Sequence, residues 1–330
     1  MVDKTRIYLV GLLMCFASLV QAHSLSDEAR ISLVTCTPGY YLYTTYGHTA
    51  IHVWDEANDI DIVFNYGLFD FDTDHFYWKF MRGETWYELG ASPTWWFMQQ
   101  YEYEKRPVYE QVLNLSAEQR DAMWQALVEN YKPENRSYLY NFVFDNCATR
   151  PYHLIVRTLG DSVVSDYSGY TGVTYRRFIR HYTGPHSWAN AGINLLFGRK
   201  ADQPMTSEQR LFLPEELMLY LEHAKQANGE RVVAESHIAP FVIARTPWYA
   251  TWEFGLVVYF LIILAISCYD YHRKHYCPAI DIIVAVPYGL LLLLVAFLTF
   301  FSCHPLVGFG WRLLIIPLVH LCARIVSILR

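Results

Sequence analysis

The apolar positions of this chain fall into three regimes. Behind Lys4 and Arg6, residues 7–20 form a nearly unbroken apolar run. That layout is a secretory signal, with Val20-Gln21-Ala22 as a small-residue cleavage site and His23 as the new N-terminus. Residues 1–22 are therefore read as a signal peptide. Residues 23–245 show short-period patterning of the kind that folds in water. From residue 246 to 330 the pattern changes to long apolar runs, which predict about three transmembrane helices over about 248–269, 282–303 and 311–329. Trp248 and Trp252 precede the first as interface anchors. His272, Arg273, Lys274 and His275 follow it, whereas residues 302–310 carry no Lys or Arg. The positive-inside rule puts the first connection in the cytoplasm and residues 23–245 on the outer face. The signal peptide requires the same side.

Within 23–245 the period switches repeatedly. Ala29–Thr35 predicts a strand, and Cys36-Thr37-Pro38-Gly39 a turn. Leu42–Tyr46 fits a short helix. His48–Trp54 alternates with His48, Ala50 and His52 on one face, and Asp61–Tyr66 follows a turn at Asn58-Asp59, so the two form a hairpin. Residues 74–103 are aromatic-rich and fit helical pieces, with Thr94-Trp95-Trp96-Phe97 read as core and a membrane-dipping role for the cluster left open. Tyr101–Arg106 reads as a solvated face. Val108–Leu115 is strand-like. Ser116 with Gln119 is a capping box that opens a helix to about Tyr131. Tyr138, Tyr140, Phe142 and Phe144 alternate, which predicts a strand running into Asp145-Asn146. Cys147–Leu159 then reads as a helix ending at Gly160. Residues 161–225 are mixed and mostly helical.

Composition narrows the function. Apolar residues make up 53% and charged residues 18% of the chain, which excludes a disordered protein. The net charge is −6. Both flanking regions are net positive, so the negative charge is concentrated in 23–245. Nucleic acid is thereby disfavoured as a partner, because phosphate binding needs a basic face. Of the seven cysteines, only Cys36 and Cys147 belong to the exported domain.

Those two cysteines frame the chemistry. Asp145 or Asn146 is placed to cap a helix whose first turn holds Cys147. Unsatisfied N–H groups at a helix start favour a thiolate and offer donors to an oxyanion. A cysteine nucleophile also needs a base. His48 at the start of a strand fits, with Asn65 on the paired strand to orient it. His52 shares the His48 face as an alternative base, and Asp145 and Asn146 are supporting candidates. The histidines lack the spacing of a metal site, so no metal and no cofactor is expected. In the membrane region, His304 and Arg312 fall on the outer side by this topology and are candidate lipid-headgroup contacts.

These residues carry a resemblance. The order of a histidine strand, a polar residue on the next strand and Asn146-Cys147 opening a helix resembles a circularly permuted papain-like fold. NlpC/P60-type peptidases and lecithin:retinol acyltransferase-like enzymes share that fold. Tyr46-Gly47-His48-Thr49-Ala50-Ile51, Phe64-Asn65-Tyr66-Gly67-Leu68-Phe69-Asp70-Phe71, Asp145-Asn146-Cys147-Ala148-Thr149-Arg150, Gly198-Arg199-Lys200-Ala201-Asp202 and Phe212-Leu213-Pro214-Glu215 are similar to bacterial lipoprotein N-acyltransferases of the Lnb type. The resemblance covers roughly residues 30–225. It implies an α+β, permuted papain-like (NlpC/P60-like) periplasmic domain followed by a C-terminal transmembrane helix bundle in the bacterial inner membrane. It implies acyl transfer from a phospholipid, through a Cys147 thioester, to the N-terminal amine of a diacylated lipoprotein. Two other readings stay open at this level. One is a peptidoglycan or peptide hydrolase on the same fold. The other is a non-enzymatic membrane assembly module with Cys36 and Cys147 joined in a disulfide.

Overall fold

The computed structural model describes residues 24–160, 163–243, 245–274 and 277–328. The signal peptide expected at 1–22, and His23 after it, lie outside the described residues.

The elements run in the order β1 (Arg30–Cys36), β2 (His48–Asp55), β3 (Ile60–Leu68), α1 (Phe76–Arg82), β4 (Trp86–Pro93), α2 (Thr94–Tyr103), β5 (Val108–Leu113), α3 (Ala117–Tyr131), β6 (Ser137–Leu139), α4 (Thr149–Thr158), β7 (Val164–Ser165), α5 (Tyr175–Thr183), α6 (Trp188–Leu196), α7 (Pro214–Glu222), β8 (Ala224–Lys225), β9 (Val233–Ser236), α8 (Trp252–Arg273), α9 (Pro278–Phe301) and α10 (Ile315–Ile328). Seven strands form one antiparallel sheet in the order β6-β4-β3-β2-β1-β5-β9. The protein is thus mixed α+β, a sheet-rich domain followed by helices.

Alternation along the strands sorts the two faces. Ile31, Leu33, Ile51, Val53, Phe64 and Tyr66 point into the main core with α3, α4 and α7. Val34, Cys36, Ala50 and Val63 point the other way, under Phe97 and Tyr101 of α2. Each large apolar side chain fully buried in this way contributes about 1.5–3 kcal/mol. The expected β2–β3 hairpin is present. Asn58 Nδ2 donates to Asp55 and Asp59 closes the turn at φ 55°. The capping box on α3 is also present, with Ser116 Oγ accepting from the Gln119 N–H and Gln119 Oε1 accepting from the Ser116 N–H.

Four expectations change. Residues 74–103 are helix–strand–helix, because β4 pairs with β3 through the centre of the run. Trp95 and Trp96 stand exposed, and only Phe97 of that cluster joins the core. Tyr101 and Arg106 are buried rather than solvated, with Arg106 Nε and Nη2 donating to the Thr37 carbonyl. The strand expected through Phe144 stops at Leu139. Asn141 Oδ1 accepts from the N–H groups of Val143 and Phe144, at 3.1 Å each, and bends the chain.

α8 and α9 are long and apolar enough to cross a membrane. α10 follows directly on a single 3-10 turn, Trp311–Leu314, and its described part covers 14 residues. Its Arg324, which interrupts the apolar pattern, is buried and paired with Asp270 and Asp281 at 3.1 Å each. The sheet domain is tied to this region by backbone contacts. The N–H of Gly198 donates to the Leu306 carbonyl and that of Gly308 to the Leu196 carbonyl, both at 2.9 Å. A Cβ on Gly198 would meet the Gly308 Cα at 2.9 Å, so this seam closes only around glycine. The Cys303 N–H donates to the Arg82 carbonyl at the end of α1, at 2.8 Å.

Candidate active site

The bend at Asn141 leads into the turn that carries Cys147. Asn141 and Asp145 exchange backbone hydrogen bonds at 2.9 Å, and the chain enters α4 two residues past Cys147. Cys147 therefore sits just ahead of the helix and not within its first turn. Asn146 fixes this placement. Its Oδ1 accepts from the N–H groups of Ala148 at 2.8 Å and Thr149 at 2.9 Å, in a turn that leads the chain into the helix. Its Nδ2 donates to the carbonyls of Phe142 at 2.7 Å and Phe212 at 2.8 Å. Every amide position is used, so the Asn146 side chain is a structural anchor for its neighbour. Asp145 holds Arg150 in two hydrogen bonds at 2.6 and 2.9 Å. The half-buried Cys147 thiol is left pointing at the sheet.

The group it meets is His48, at the start of β2. His48 Nε2 donates to Asn65 Oδ1 of β3 at 2.5 Å. This bond fixes the tautomer, because the amide oxygen can only accept, and leaves Nδ1 for the thiol. Burial opposes charge on both partners. It is outweighed at Cys147 by the His48 charge and hydrogen bond, with the backbone N–H groups of Thr49 and Cys147 adding to them, so the thiol lies below its ordinary range. It is outweighed at His48 by the thiolate and by the hydrogen bonds to Cys147 and Asn65, so the imidazole lies above its ordinary value. The arrangement favours a thiolate–imidazolium pair, with a nucleophile and a proton donor side by side.

The other sequence candidates separate from this cluster. His52 is held between Glu110 at 2.7 Å and Asp61 at 2.8 Å, so both ring nitrogens are engaged elsewhere. Cys36 pairs with His48 across the β1–β2 ladder but is wholly buried, and burial pushes its thiol up to about 12. Cys36 and Cys147 are both free, which overturns the disulfide reading. His304 Nε2 is hydrogen bonded to the Phe80 carbonyl at 2.8 Å, on the seam between α1 and α9. Arg312 lies beside Asp202, Arg176 and Arg180. Neither joins the Cys147 cluster. At the same seam a groove of about 420 Å³ opens between Trp78, Arg82 and Glu84 on one side and Phe297 and Phe301 on the other.

The surroundings hold residues that the sequence did not single out. Gly67 stands where the β3–β4 register shifts between Tyr66 and Leu68, at φ 98°. It is a bulge residue in the left-handed region, where a side chain is strained. A Cβ there would lie 3.8 Å from the Cys147 Cβ. Tyr138 of β6 packs edge-on against Tyr66. Tyr140 stacks on Tyr87 at 4.1 Å, and Tyr87 on Phe69 at 4.8 Å. That stack continues through Phe76 to Phe80, whose ring meets His304 at 6.1 Å. An aromatic wall thus leads from the neighbourhood of Cys147 to the head of a membrane helix.

Two family models match the chain. Residues 16–183 match the Lnb N-terminal periplasmic domain, and residues 246–330 match the Lnb transmembrane domain. The chain belongs to the Lnb family. Its sheet domain is accordingly the Lnb periplasmic domain, and the match contains His48, Asn65 and Cys147. The apolar helices belong to the Lnb transmembrane domain, which makes this an inner-membrane protein with a periplasmic part. A search of curated proteins and of solved structures finds no match.

Proposed function

We propose that this Lnb-family chain is a membrane-anchored cysteine N-acyltransferase. It moves an acyl chain from a phospholipid to the α-amino group of the N-terminal cysteine of a diacylated lipoprotein. The observation that carries the reading is the Cys147–His48–Asn65 arrangement in a domain sealed onto apolar helices. The order of these residues, with the histidine and amide strands ahead of the cysteine turn, supports a permuted papain-like relationship.

The reaction runs in two halves. The Cys147 thiolate adds to the ester carbonyl of the phospholipid, and collapse expels the glycerol oxygen, which takes the proton from the His48 imidazolium. The thioester then meets the lipoprotein amine. His48, now neutral, accepts the amine proton as nitrogen attacks, and returns it to the departing Cys147 sulfur. Asn65 keeps the ring aligned through both halves. The aromatic wall and the groove at Trp78 and Phe297 offer apolar contact to a lipid chain arriving from the bilayer, with His304 beside Phe80 and Arg312 beside Asp202 as headgroup contacts.

The test is mass spectrometry of lipoprotein N-termini in cells relying on this enzyme for N-acylation. Wild-type protein should give N-acylated termini and Cys147→Ala should give free amines. N-acylated termini in the Cys147→Ala strain would sink the reading. Release of muropeptides by the wild-type protein, with no acyl transfer, would replace it with the hydrolase reading.

A further inference from the structure

The Tyr138 hydroxyl is buried and has no hydrogen-bond partner, although it lies in the walls of the Cys147 site. An orphaned buried hydroxyl is costly and calls for a reason. Its position supplies one. The Cβ that Gly67 lacks would lie 3.8 Å from the Cys147 Cβ, 4.0 Å from His48 Cε1 and 4.0 Å from Tyr138 Oη. These three groups surround one small space that a glycine bulge keeps open.

The ring is held firmly for such a task. Tyr138 pairs with Tyr87 across the β4–β6 ladder. The Arg150 guanidinium lies 3.6 Å from the Tyr138 ring centroid and is itself clamped by Asp145. A cation on the ring face draws electron density from the phenol and strengthens its O–H as a donor. Burial raises the phenol above its ordinary range, so it keeps its proton.

We propose that Tyr138 Oη–H and the Cys147 backbone N–H form the oxyanion site of this enzyme, and that the ligand is the carbonyl oxygen of a carboxylic ester or thioester. The inference rests on the acyl-transfer reading above. When the thiolate adds to the carbonyl carbon, the π pair moves onto oxygen, and Tyr138 donates a hydrogen bond to it without transferring its proton. Collapse restores the carbonyl and expels the alcohol protonated by His48. Asp145 and Arg150, which do not touch substrate, act as positioning residues through the Tyr138 ring.

The test compares two reactions of Cys147 in the full-length protein in detergent micelles. One is single-turnover thioester formation from a phospholipid with a labelled acyl chain, which passes through an oxyanion. The other is alkylation by iodoacetamide, which does not. Tyr138→Phe should slow thioester formation about 10²-fold and leave alkylation within about twofold. Thioester formation within about threefold of wild type would overturn the proposal, and so would a parallel fall in both reactions. Label that still accumulates on Cys147→Ala would instead overturn the acyl-transfer reading itself.

Discussion

The start and the middle of β2 present the same side chain to different surroundings. His48 and His52 lie on one face of the strand, four residues apart, and both imidazoles are held above their ordinary value. At His52, burial is outweighed by Glu110 and Asp61, whose carboxylates occupy both ring nitrogens. At His48, burial is outweighed by a thiolate and by an amide that takes one nitrogen only. The first is a closed ion pair on the sheet surface. The second has a reactive atom at one end and an orienting group at the other. A raised histidine is therefore no mark of catalysis by itself, and what distinguishes the two is whether a partner can leave the pair to form a bond.

Substitutions sharpen this contrast in descending order. Cys147→Ala should remove thioester formation altogether, as read by labelled phospholipid. His48→Ala should slow acyl transfer by about 10²–10⁴-fold, the range for a lost general acid–base. It should also move the pH midpoint of Cys147 alkylation upward, towards the ordinary thiol value of 9.0, because the charge that holds the thiolate is gone. A midpoint unchanged from wild type would break the pairing. Asn65→Ala should cost about 10- to 100-fold in rate through a misaligned ring, with the alkylation midpoint shifted much less than in His48→Ala.

His52→Gln should leave acyl transfer within about twofold, since the ring contacts no reacting group. Its effect belongs to stability and is small. Asp61 and Glu110 are both largely exposed, so the pair contributes about 0–1 kcal/mol after solvent screening. The folded pKa is raised, so that contribution is complete below the ordinary value of 6.5 and is lost as pH rises through the folded value. Thermal unfolding of wild type and His52→Gln should therefore differ at pH 5 and converge at pH 9. A rate loss comparable to that of His48→Ala would show that the two histidines do not divide the labour in this way.

Where the pattern was local, the expectations held. The strands around Leu33, Ile51 and Phe64 follow from alternating burial, the start of α3 from the Ser116–Gln119 box, and the membrane helices from unbroken apolar length. Where a long-range partner decided, they did not. β4 is a strand because β3 pairs with it, and nothing in its aromatic neighbourhood announces that. Arg106 is buried because the Thr37 carbonyl is there to receive it. Trp95 and Trp96 face outward because α2 spends its packing on Phe97 and Tyr101.

The candidate site divides along the same line. By itself the sequence determined that Asn146 can turn the chain into a helix beside Cys147, that His48 opens a strand, and that Asn65 lies on the strand paired to it. Each follows from side-chain chemistry acting over a few residues. Only the tertiary structure decided that His52 is locked by carboxylates, that Cys36 is sealed in the core instead of bridging to Cys147, and that Tyr138 and Gly67 complete the enclosure. Those outcomes depend on which strands lie side by side and on the register between them, and register is set by the packing of the whole sheet.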